Sequence, residues 1–233
     1  MATAGKLTRH IQLLAALVAM ELGNPLMAGM KVSARILSLV LFMLVCVAVF
    51  RAVFATNRRR WVAMALAGIA IALNVARLSA PARLQLPIDL ALDFAAGAFF
   101  VFVFAVIVSH VFGARRLHSD DVVGAFSGYI LIALIWGRLY ALAWIVAPDS
   151  FSISPDIRWQ LGSWHTLHAL FDYYSFTTIS SIGYGDITTA RPLTNTLLWL
   201  EVMCGQFYMA VVVATIVGMK MAQALSPPPR DDP

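Results

Sequence analysis

Thr178-Ile179-Ser180-Ser181-Ile182-Gly183-Tyr184-Gly185-Asp186 follows a stretch, 166–180, that reads as a short helix, and it precedes a long apolar run that begins at Leu193. The short helix falls below the roughly 20 residues needed to cross a bilayer. A half-crossing helix that gives way to irregular backbone is tolerated at membrane depth only where protein or a water-filled path satisfies the exposed peptide groups. The segment is therefore expected to line a pore. Glycine at 183 and 185 adds a second constraint. Successive carbonyls turn toward one axis only where residues alternate between conformations of opposite hand, and glycine adopts either hand without a Cβ penalty. Ile182 and Tyr184 then point outward into surrounding protein, while the Ser181 carbonyl and hydroxyl form the innermost oxygen site.

The rest of the chain suits such a setting. Of 233 residues, 61% are hydrophobic and 12% charged, whereas a soluble domain is roughly half apolar and a quarter charged. Apolar stretches run from Ile36 to Phe54, Trp61 to Leu78, Leu90 to Phe112, Val122 to Val146 and Leu193 to Val217. A sixth, Ile11 to Met30, is interrupted by Glu21, Asn24 and Pro25, so it crosses, lies in the interface, or resembles a secretion signal behind Lys6 and Arg9; crossing is the expectation adopted. The expected fold class is thus an all-α integral membrane protein with six transmembrane helices. A re-entrant pore helix and selectivity filter lie between the fifth and the sixth. The organisation is a four-helix transmembrane region over 1–119, a pore domain over 120–225 and a disordered tail over 226–233, where Ser226-Pro227-Pro228-Pro229 opens the tail. With six spans the basic clusters Arg58-Arg59-Arg60 and Arg115-Arg116 fall on one side together with both termini, which places the termini in the cytoplasm. The net charge of +5 sits at the ends of apolar spans, a pattern for orientation rather than for nucleic acid. Cys46 and Cys204 lie inside apolar spans, where lone thiols are usually small buried hydrophobes.

A dehydrated potassium ion crosses a membrane only if oxygens replace its water, and backbone carbonyls from several identical chains can supply them. On the residues quoted above, the segment resembles the signature of the potassium channel pore family. The resemblance covers roughly Val122 to Met221; the four preceding spans resemble only bacterial six-span relatives. It implies a homotetramer, three further copies and membrane lipid being the partners, with one filter strand per chain. It further implies potassium ions held by Ser181, Ile182, Gly183, Tyr184 and Gly185, passive flux, no organic cofactor and a place in the plasma membrane. No nucleic-acid or soluble partner is indicated. Ser181 stands where the family usually has threonine, and Tyr184 rather than an acidic residue argues against the nonselective relatives. By position Tyr173 and Tyr174 match aromatics that brace the filter, their hydroxyls within reach of Asp186 or Tyr184, with ordinary aromatic packing as the alternative. Thr178 and Asp186 complete the supports, and Thr177 occupies a place where some members carry a buried glutamate. Gly205 matches the gating hinge of the inner helix or serves close packing. Gln206, Met209 and Val213 follow on one face, lining the central cavity or packing against neighbours.

Charges inside spans face protein and find partners. Arg138 and Glu201 share a depth and are expected to form an ion pair behind the filter, the alternative being hydrogen bonds to backbone. The fourth span carries Asp89 and Asp93 and no basic ladder, so steep voltage gating is not expected. These acids either pair with Arg77 or Arg83 or are solvated at the interface. His110 and His118 are candidate proton sensors near the inner surface, or plain polar surface. No nucleophile, base and orienting group come together, so the chain is not read as an enzyme. The competing readings are a less selective cation channel and a non-conducting sensory or regulatory subunit.

Overall fold

The computed structural model describes residues 4–26, 31–53, 60–113 and 119–225. They form helices α1 (Ala4–Leu26), α2 (Lys31–Val53), α3 (Arg60–Ser79), α4 (Ala82–Gly113), α5 (Ser119–Val146), α6 (Trp164–Ile179) and α7 (Pro192–Leu225). Two short strands, β1 (Phe151–Ile153) and β2 (Ile187–Thr189), and 3-10 turns at Pro148–Ser150 and Arg158–Gly162 complete the order. In lipid a segment must satisfy its own peptide groups, which leaves helices as the solution for runs this apolar. Over the described residues, Arg60–Ser79, Arg83–Ser109, Val122–Val146 and Pro192–Met219 are long and apolar enough to cross a membrane. α1 and α2 are 23 residues each, and their described apolar stretches are His10–Gly23 and Ile36–Arg51. The expected tail, 226–233, lies outside the described residues, as do Arg58, Arg59, Arg115 and Arg116.

One apolar core joins α1, α2, α4 and α5 through Leu13, Leu17, Val45, Phe99, Phe100 and Leu131. Phe42 meets Phe99 and Phe100 edge-on, with ring centroids 5.8 and 6.4 Å apart, a geometry aromatic quadrupoles favour. A second core gathers Tyr140 of α5, Phe171 and Tyr174 of α6, and Phe151, Ile153 and Ile187 of the strands.

The fold is all-helical apart from two three-residue strands. β1 and β2 pair antiparallel with Phe151 opposite Thr189 and Ile153 opposite Ile187, so the outer loop is stitched to the segment that follows Gly185. α6 opens at Trp164 rather than Thr166 because Ser163 caps it, its hydroxyl accepting from the Thr166 amide at 3.3 Å. Pro192 opens α7, at the position where a missing N–H costs nothing. Only 11% of the α7 span is buried within the chain, against 50% for α5. α7 therefore presents most of its apolar surface outward.

Candidate functional site

α6 brings the chain to Ser181 and then unwinds. The amides of Ser181, Ile182 and Gly183 donate back to the carbonyls of Thr178, Thr177 and Thr177 at 2.9, 2.9 and 3.1 Å. Thr178 thus supports the turn through its backbone. Beyond it the chain alternates in hand as expected: φ is 60° at Ser181, 55° at Gly183 and 81° at Gly185, while Ile182 and Tyr184 have negative φ. Among the described residues, Ser181 is the non-glycine residue held at positive φ, a conformation that costs an L-residue about 1–2 kcal/mol. Its hydroxyl accepts from Gln206 Nε2 at 3.1 Å, so Ser181 is tied to α7. Ile182 and Tyr184 are 57% and 69% exposed; their own chain does not cover them.

The segment is anchored beyond Gly185 through Asp186. The Tyr173 hydroxyl donates to Asp186 Oδ2 at 2.7 Å, and the Tyr173 ring lies parallel to Tyr184 with centroids 6.3 Å apart. Asp186 Oδ1 accepts from the Ile187 amide at 3.0 Å, and the Asp186 carbonyl accepts from the Ser154 amide at 2.9 Å. Tyr174 behaves differently from the expectation. One helical step from Tyr173 turns it to the opposite side, where its ring packs on Tyr140 at 5.0 Å and Phe151 at 5.8 Å. Ordinary aromatic packing is the reading the geometry supports there. Tyr173→Phe removes one hydrogen bond at a half-open site, about 1 kcal/mol. We expect it to lower the stability of the chain in mixed micelles by about 1 kcal/mol in denaturant unfolding.

Arg191 donates to Asp149 and holds this exposed carboxyl below the usual carboxylate range. Thr194 Oγ1 donates to the Ser150 carbonyl at 2.9 Å. Both contacts fasten the outer loop to the start of α7.

On α7, a Cβ added at Gly205 would run into the Ile179 side chain and come within 3.2 Å of the Ile179 carbonyl oxygen. The helix continues unbroken through this position, so close packing of α7 against the end of α6 accounts for the glycine. Met209 and Val213 are 44% and 50% exposed and lie, like Gln206, on surface the chain leaves uncovered.

The expected Arg138–Glu201 ion pair is not formed. Arg138 Nη2 is 3.1 Å from Asp172 Oδ2 on α6, and its Nη1 is 3.9 Å from Asp93 Oδ1 on α4. Glu201, fully buried, instead accepts from the Tyr140 hydroxyl at 2.6 Å and from the Ser175 hydroxyl. Equal depth placed the two charges at one level of the membrane, but their helices present them to different neighbours. Asp93 also meets His168 Nε2 at 2.7 Å, and Asp89 takes its partner from α3, Arg77. Asp172, His168, Ser175 and Tyr140 were not singled out from the sequence. The available signal was a carboxylate and a histidine four residues apart inside a short apolar helix, since such groups survive burial only when paired. Among the described residues, no group of three or more histidine, cysteine, aspartate or glutamate side chains is suited to hold a metal ion.

Residues 129–221 match the family model described as ion channel. The matched segment runs from within α5 through residues 181–185 into α7 and supports an ion-channel pore domain there. Together with the apolar helices it supports a membrane-embedded protein. No curated protein and no solved structure matches the chain.

Proposed function

We propose that the chain is one subunit of a homotetrameric potassium-selective channel that conducts passively through a filter built from Ser181 to Gly185. The observation that carries this reading is the alternation of positive φ at Ser181, Gly183 and Gly185 with ordinary φ at Ile182 and Tyr184. That alternation turns consecutive carbonyls toward one side, the arrangement that can replace an ion's hydration shell. A single chain provides a single strand of oxygens, so four copies around an axis are needed to enclose the ion. The uncovered α7 face and the exposed Ile182 and Tyr184 are surfaces that neighbouring copies would bury.

In this reading potassium ions are the cargo, lipid is the surrounding solvent, and the protein lies in the plasma membrane with six spans and cytoplasmic termini. The α4 sequence has no repeated basic residues, so opening is not steeply voltage-driven. Ser181 keeps the hydroxyl at the innermost site, where Gln206 binds it.

Reconstitution into planar bilayers with opposed potassium and sodium gradients tests the reading. The reversal potential should move by about 59 mV for each tenfold change in the potassium gradient. A shift well short of that identifies the less selective cation channel, and a reversal potential that ignores potassium removes the proposal.

A further inference from the structure

Arg138 of α5 and Asp93 of α4 face each other across a gap. Nη1 and Oδ1 are 3.9 Å apart, beyond the roughly 3.2 Å within which an N–H donates to oxygen. Asp93 Oδ1 is engaged by His168 Nε2 at 2.7 Å. The second carboxylate oxygen, Oδ2, is buried and has no hydrogen-bond partner, and the same holds for Arg138 Nε and for Trp164 Nε1. One acceptor and two donors, on three different helices, are thus left over. Buried polar groups are rarely left so, and charged ones least of all.

The three residues share a cavity. Asp93, Arg138 and Trp164 line a space of about 50 Å³ that has Phe42 and Phe100 on its apolar side. The Trp164 ring is held by Arg77 and His168, 4.3 and 4.1 Å from its centroid. A water molecule needs roughly 10–15 Å³ of such space, so there is room for at least one. The mix of groups on the wall decides what belongs there. A cation would sit beside the Arg138 guanidinium and the Trp164 N–H, and an anion beside the Asp93 carboxylate. An apolar guest would leave all three polar atoms unserved. Water donates to a carboxylate and accepts from an N–H at the same time, and a polar contact longer than 3.5 Å with room between its partners is where it does so.

We infer that this cavity is a water-binding site, in which one or a few ordered waters donate to Asp93 Oδ2 and accept from Arg138 Nε and Trp164 Nε1. Trp164 is the first residue of α6, so the water sits where α4, α5 and the start of the short helix meet. Direct contacts already tie α6 to α4 through His168 and Asp93, and α6 to α5 through Asp172 and Arg138. The side left open is the one between Asp93 and Arg138, and the water closes it. The two charges become a water-separated pair, which keeps both solvated without opening either to lipid. None of these groups belongs to the segment 181–185, so the site stands whether or not the chain conducts.

Solid-state NMR of the full chain in lipid vesicles, with the indole nitrogens labelled with 15N, tests this through magnetisation transfer from water. The chain has six tryptophans. Trp159, in the turn at Arg158–Gly162, is 62% exposed and serves as the positive control, and Trp164→Phe assigns the signal. The Trp164 N–H, which is not open to the surface, should receive magnetisation from water in the wild type, equally in sodium, potassium and choline salts. Ala96 is buried and lines the same cavity. Ala96→Leu should therefore fill the space and abolish the Trp164 transfer while leaving that of Trp159 unchanged, with Ala96→Val as the smaller insertion where the leucine variant does not assemble. A wild-type Trp164 without transfer overturns the site, whichever variants assemble. Transfer that survives filling places the water elsewhere and overturns it too. Transfer that appears in only one of the salts shows an ion in the cavity and overturns the assignment to water.

Discussion

On the potassium-channel reading proposed above, Gly183→Ala is expected to abolish potassium flux while leaving the fold of the individual chain in place. The glycine sits at φ 55°, and a Cβ built on it meets nothing within 4 Å in its own chain. The penalty is therefore conformational rather than a collision. An alanine held left-handed costs about 1–2 kcal/mol, and in the fourfold filter proposed above the cost is incurred once per strand, about 4–8 kcal/mol. At about 1.4 kcal/mol per tenfold, the population with all carbonyls facing the axis drops by about a thousandfold or more. Efflux from potassium-loaded vesicles, normalised to assembled protein, measures this. Gly68→Ala is the control: its added Cβ also meets nothing within 4 Å, and no positive φ is involved, so flux should be unchanged. Equal loss in both variants would remove the conformational argument.

The alternating backbone at 181–185 was legible in the sequence for the same reason that the substitution is damaging. Only a backbone that alternates in hand has a use for glycine at 183 and 185 with bulky residues between, and the half-length helix before it left few other placements. The outer helix and inner helix were legible because continuous apolar runs have a single solution in lipid. What the sequence did not disclose was angular position around the helix axes. Arg138 and Glu201 could be assigned a depth from 1.5 Å per residue, but depth leaves open which neighbour each one faces. α5 turns Arg138 toward Asp172 and Asp93, while Glu201 reaches Tyr140 and Ser175. Tyr173 and Tyr174 illustrate the same limit on a smaller scale, since adjacent residues on a helix diverge by about 100° and only one of them can reach Asp186. The strands escaped notice because three residues are too few for alternation to register, although their pairing ties the outer loop to the residue after the filter.

Arg138→Gln should be the most destabilising single change in the membrane-embedded part of the chain. It removes the guanidinium from between Asp172 and Asp93 and breaks the buried ion pair with Asp172, a loss of about 3–5 kcal/mol measurable by denaturant unfolding in mixed micelles. Asp172→Asn removes one of the charges that Arg138 balances, so in the double variant the two losses should fall short of their sum by about 1–3 kcal/mol. A cycle between Arg138 and Glu201 should instead add to within about 0.5 kcal/mol, because Glu201 is satisfied by hydroxyls rather than by a cation. Exchanging the two charges, Arg138→Glu with Glu201→Arg, would then combine two buried mismatches and restore neither stability nor flux. Strong coupling of Arg138 to Glu201, with none to Asp172, would reverse the assignment. It would mean that the pore helix is held from the inner-helix side, and the route by which the first four helices reach the filter would have to be sought elsewhere than through Asp93, His168 and Asp172.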